Sequence, residues 1–207
     1  KGWHMLLWAL NDVGLRNIWA ISSSIELSKT YEHQLPNAHW SDFEGRGEGV
    51  VCSSACIAGV MGHAAIVEDE EMADYWYERC SSTFQEFAIE LHTNRMAKFT
   101  LEDGTVRTQR QVNLWLDSYA RKRGIRTVYA VDSHYARKED AEFQDTWLGM
   151  GIKAFYDEKH WTMDHEYYVQ GEDEIRERLA YLGEDSVERC FDGVDELVGM
   201  TTPYRLD

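Results

Sequence analysis

With 207 residues, 43% hydrophobic and 13% aromatic, the chain is long enough for one sizeable globular domain with a buried core. Its 37 acidic against 21 basic residues give a net charge of −16, which repels a phosphate backbone and excludes tight nucleic-acid binding by this chain alone unless metal ions or a basic partner intervene. No apolar run reaches membrane-spanning length, and Lys1-Gly2-Trp3-His4 lacks the regions of a signal peptide, so a soluble, cytoplasmic protein with no membrane partner is expected. The four cysteines form no Cys-x-x-Cys pair and read as free thiols or isolated ligands. The chain also begins without Met, on what reads as the middle of a longer sequence.

In chain order, Trp3 to Leu10 predicts a fully buried strand of the continuous apolar type found in parallel sheets, with His4 near one end. Asn11-Asp12 predicts the cap of a helix running to about Lys29, after which His33, Pro36, Asn37 and two glycines supply loop chemistry up to Glu48. Gly49 to Gly59 predicts a short strand entering a small-residue turn and a helix. Glu68-Asp69-Glu70-Glu71 places negative charge on the first turn of the next helix, where the dipole favours it. Phe87 to His92 is a third strand, followed by a hairpin-like excursion around Glu102-Asp103-Gly104. Val112, Trp115, Leu116 and Tyr119 then mark a helix that stops at Arg121-Lys122-Arg123-Gly124.

Thr127 to Tyr135 is a β-branched and aromatic run ending in Asp132-x-His134. On a continuing strand both side chains would point to one side, as two ligands of one ion must. The bland alternative is a strand followed by a polar turn, with His134 capping the helix that starts near Lys138. Beyond Asp140 come a helix with Trp147 and Met150, an extended piece at Glu166 to Val169, and acidic helices at about 171 to 182 and 184 to 199. The order of elements predicts an α/β protein with a largely parallel sheet or barrel, whose right-handed crossovers bring the C-terminal strand ends to one face.

His4, Cys56, Asp132 and His134 all fall at predicted strand ends. Imidazole, thiolate and carboxylate are the ligand set of zinc-like ions, and carboxylates also suit manganese or iron. Each has a plain structural reading as well: a hydrogen-bonded core histidine, or a cysteine that is a small buried hydrophobe like Cys52, Cys80 and Cys190. His63, His92, His160 and His165 show no partner at ligand spacing. There is no Gly-rich phosphate loop and no Gly-x-Ser-x-Gly elbow, so hydrolysis through a metal-bound water is the chemistry these residue types best permit.

Met5 to Ile18, with Asn11-Asp12-Val13-Gly14-Leu15-Arg16-Asn17-Ile18, resembles the segment of the bacterial DNA polymerase III alpha family in which a ligand histidine opens a strand ahead of an Asn-x-x-Gly helix; His4 falls on that histidine. Gly49 to Gly59 is similar to Gly-Leu-Ile-Ala-Leu-Ser-Gly-Cys-Leu-Ala-Gly, which sets Cys56 on the family's metal-binding cysteine. Phe87-Ala88-Ile89-Glu90-Leu91 resembles Phe-Tyr-Leu-Glu-Leu. Val131-Asp132-Ser133-His134-Tyr135 with Lys138-Glu139-Asp140-Ala141-Glu142 resembles Asn-Asp-Val-His-Tyr and its Pro-Glu-Asp-Ala-Glu helix. Glu166 to Val169 and the acidic helices resemble the stretch leading toward the polymerase palm.

The resemblance spans nearly the whole chain in the family's order. It implies a partial, distorted (β/α)7 barrel of the PHP (polymerase and histidinol phosphatase) type over residues 1–155, and an acidic helical connector over 156–207. In the intact family this site binds up to three divalent ions, zinc, manganese or iron, and acts as a phosphoesterase of 3′–5′ exonuclease type. The family's His-x-His motif and three further ligands lie upstream of Lys1, the palm carboxylates lie downstream, and Leu91-His92-Thr93-Asn94 replaces its Leu-Gln-Asp-His. The expectation is therefore an internal fragment of a replicative DNA polymerase, inactive alone, whose partners are the rest of the polymerase chain and, through it, DNA. The alternatives are a structural PHP domain that braces the polymerase without catalysis, and a free-standing PHP phosphatase.

Overall fold

The computed structural model describes residues 2–28, 37–95, 99–101, 103–151 and 165–203. The expected helix end at Lys29, the loop residues His33 and Pro36, Glu102 of the excursion, His160 and the 155/156 boundary lie outside the described residues.

Three apolar runs form the sheet's parallel strands: β2 (Val50–Ser53), β3 (Glu86–His92) and β6 (Arg126–Ala130). β1 (Leu6–Ala9) completes a four-stranded sheet in the order β1-β2-β3-β6, and β4 (Phe99–Thr100) with β5 (Val106–Arg107) forms a separate hairpin. β1 corrects the expectation of a buried parallel strand. It pairs antiparallel with β2, Leu6 opposite Ser53 and Ala9 opposite Val50, and it is an edge strand with Leu6 43% exposed. A run of four apolar residues encodes neither strand direction nor an edge position. The described residues thus make a mixed α/β fold around an open sheet.

The helices follow their end signals. α1 (Asp12–Leu27) is capped by Asn11, whose side chain accepts from the Gly14 amide. After α2 (Val60–Val67), α3 (Glu70–Thr83) is capped by Asp69 with Glu70 and Glu71 in its first turn. α4 (Gln109–Arg123) opens on a Thr108/Gln111 capping box and closes on Gly124 at φ 63°. These four helices cover one sheet face, around Cys52, Phe87, Ile89 and Leu91. α5 (Ala141–Gly151) and α6 (Glu172–Leu179) follow, and α7 (Glu184–Gly199) packs on β6. From the opposite face Val51, Ala88 and Val128 meet Leu10 and Leu197 of α7. At Gly193 the helix comes so close that a Cβ would lie 2.1 Å from the Thr127 carbonyl oxygen.

Candidate metal centre

The reversed direction of β1 is what builds the site. Because Leu6 faces Ser53, the residues just before β1 lie beside those just after β2. The His4 amide donates to the Ala58 carbonyl at 3.1 Å, and His4 and Gly59 form an isolated parallel bridge. Only glycine fits at 59, since a Cβ would lie 2.2 Å from the Ser54 carbonyl oxygen and 3.1 Å from that of His4. The result sets the Cys56 thiol 3.5 Å from His4 Nδ1. A tetrahedral ion with sulfur at about 2.3 Å and nitrogen at about 2.0–2.1 Å holds those two donors about 3.5 Å apart, so the pair has the spacing of two ligands of one ion.

His4 and Cys56 line a cleft of about 830 Å³ together with Asp132, Glu90 and His92. Burial, and then the nearby charges of Asp132 and Glu90, push the Cys56 thiol up. The lining does not include His134. The expectation that Asp132 and His134 project together from one strand is corrected: β6 ends at Ala130, and Asp132 takes a left-handed φ of 54° that turns the chain away. His134 instead bonds through Nδ1 to the Asp132 carbonyl at 2.7 Å and packs edge-on against Tyr167. That bond fixes the orientation of the His134 ring. The bland alternative of a helix cap by His134 also gives way, since Arg137 occupies the cap of the turn Lys138–Asp140.

Glu90 and His92 were not expected here. Strand alternation sends Phe87, Ile89 and Leu91 to the helical face and Glu90 and His92 to the cleft face. Both are buried, with His92 Nε2 3.4 Å from a Glu90 carboxylate oxygen and 3.2 Å from the Ala55 carbonyl. The Ser53 hydroxyl donates to Glu90, and the Glu90 amide donates to Ser54 Oγ at 2.9 Å. Burial pushes the Glu90 carboxyl up, but the His92 contact and the Ser53 hydroxyl outweigh it and hold the group below the ordinary carboxylate range. A two-residue spacing of Glu and His on a strand was the available signal. Of the other histidines, His63 packs on Trp3 and His165 bonds Asp145.

Among the described residues no group of three His, Cys, Asp or Glu side chains converges on one point at coordination distance. The donor chemistry and the His4–Cys56 spacing fit a divalent ion, and Asp132 lines the same cleft.

No protein-family profile matches the chain. It is similar to the DNA polymerase III subunit alpha of Borreliella burgdorferi, 29% identical over 188 residues, which is 88% of this chain and 15% of that protein. With the subunit of the same name from Thermus aquaticus it is 26% identical over 213 residues, 98% of this chain and 16% of the relative. With that of Campylobacter jejuni the figures are 25% over 199 residues, 87% and 15%. The chain therefore spans about 15% of the length of these relatives. Among the described residues no helix is long and apolar enough to cross a membrane.

Proposed function

We propose that this chain is a segment of a replicative DNA polymerase III alpha subunit, forming part of a PHP-type domain whose cleft holds divalent metal and acts on phosphodiester ends. The single observation that carries the metal reading is the His4–Cys56 pair at 3.5 Å, brought together from positions 52 residues apart beside Asp132. Likeness to DNA polymerase III alpha subunits along 87–98% of the chain supports the polymerase part.

His4, Cys56 and Asp132 would hold the ion in the cleft, His134, outside its lining, would serve a further ion of the same site, and the remaining ligands would come from the rest of the polymerase. A divalent ion bound there supplies a Lewis acid for phosphoryl oxygens and positive charge in an acidic surround. The chain's own part is to fix donor geometry: the β1/β2 pairing sets His4 against Cys56, and the Asp132 carbonyl holds the His134 ring. A second reading, a domain that braces the polymerase without catalysis, is favoured by the lack of three converging donors among the described residues.

Cobalt(II) titration of the full-length protein decides whether the metal site exists. The expected result is a thiolate–cobalt charge-transfer band that Cys56→Ser abolishes; a wild type without the band would overturn the metal reading. Release of 3′-terminal nucleotides that Cys56→Ser removes while polymerisation persists would establish the phosphoesterase. Polymerisation with no such release, in the presence of the band, would leave the bracing role.

A further inference from the structure

Ala55, directly before Cys56, lies at φ 54°, a left-handed conformation that non-glycine residues rarely adopt. Such a residue persists only where its surroundings over-determine it. Here they do. The Ala55 carbonyl faces His92 Nε2 at 3.2 Å, and His92 is set in turn by the Glu90 carboxylate, which also takes the Ser53 hydroxyl. The Ser54 amide donates to the Ala88 carbonyl at 3.0 Å and its Oγ accepts from the Glu90 amide at 2.9 Å, so the residue before Ala55 is tied twice to β3. His92 and Glu90 contact each other at 3.4 Å, and both are at least 95% buried.

We propose that Glu90 and His92 are positioning residues that clamp Ala55 in its left-handed conformation and so aim the Cys56 thiol at His4. This deepens the proposed metal site by naming what orients its sulfur ligand, and it rests on that reading only for the consequence, not for the clamp. The direction of the Cys56 side chain is set by the backbone at 55 and by Gly59, whose amide donates to the Cys56 carbonyl at 2.8 Å. Gly59 is held by contact with Ser54 and His4, which leaves residue 55 as the torsion that the clamp must fix. A buried Glu–His contact with no such task would be indifferent to the residue at 55.

That indifference is the basis of the test. Cys56 is the one cysteine not fully buried, so its alkylation by iodoacetamide, followed by peptide mass spectrometry in the full-length protein, reports its setting without any metal. His92→Leu keeps the side-chain volume and removes the hydrogen bond. Alkylation is expected to rise about fivefold, the population change that corresponds to the left-handed cost of a non-glycine residue. Ala55→Gly, which adopts that φ freely, is expected to return the double variant toward the wild-type rate. A folded His92→Leu protein that alkylates at the wild-type rate, or a double variant that alkylates as fast as His92→Leu, overturns the proposal. Should His92→Leu fail to fold, Glu90→Gln carries the same comparison with and without Ala55→Gly, with the same two outcomes. The cobalt band is read separately: its absence from the wild type with the alkylation pattern present would sink the metal site and leave the clamp.

Discussion

Asp74 on α3 receives two groups from α4: the Arg123 guanidinium, whose Nη2 lies 2.7 Å from Oδ2, and the Tyr119 hydroxyl at 2.8 Å. The Arg123 bond first, then the Tyr119 bond, holds the Asp74 carboxyl below the usual range against the opposing effect of burial. Because the folded value is the lower one, the unfolded chain takes up the proton first as pH falls. The contribution is therefore complete above the ordinary aspartate value of about 3.9 and fades as pH drops through the folded value. Urea unfolding of wild type and Asp74→Asn is expected to show a stability gap that is widest above about pH 5 and narrows on acidification. A gap independent of pH would remove Asp74 as its source. At this scale the sequence was legible where one residue type dictates one role, as with the caps Asn11, Asp69 and Thr108. It was not legible at Asp132, where a left-handed backbone ends the strand before His134, nor at His92, whose partner Glu90 looked like an ordinary strand residue.

Elements were legible in kind and less so in arrangement. The Val50–Ser53, Glu86–His92 and Arg126–Ala130 strands and the Gly124 stop follow from local pattern, whereas the antiparallel direction of β1 depends on how the Asn11–Glu48 connection returns, which no local periodicity reports. That direction decides the site, since a parallel β1 would carry His4 to the far end of the sheet from Cys56. α7 gives the second case. Its acidic surface suggests a solvated connector, yet Gly193 sits against the Thr127 carbonyl of the outermost strand, leaving no room for a side chain. On an exposed helix Gly→Ala stabilises by about 1 kcal/mol. Gly193→Ala is instead expected to destabilise by about 1–3 kcal/mol, the cost of forcing the helix off β6, as read by thermal melting. A stabilised variant would show that α7 does not make this approach.

Taken whole, the described chain buries its sheet from two sides with residues from both ends of the sequence. Leu197 of α7 shares a cluster with Leu10, Val51, Ala88 and Val128, and the Thr202 amide donates to the Leu10 carbonyl at 2.8 Å. Asp117 of α4 accepts from the Ser186 hydroxyl of α7 at 2.7 Å while Arg121 reaches Asp185, so polar contacts repeat the same linkage. Such cross-links make unfolding of one part expose apolar surface of the other, and both should melt together. Leu197→Ala removes a buried side chain at that junction, and a cost of about 2–5 kcal/mol is expected, lowering one shared calorimetric transition without splitting it. A chain ending after Gly151 would leave Val51, Ala88 and Val128 facing water on one side of the sheet, and it is expected to lose its cooperative transition and to associate. A truncated chain that melts cooperatively, near the midpoint of the 207-residue protein, would show that α7 is an appendage and that the sheet stands without it.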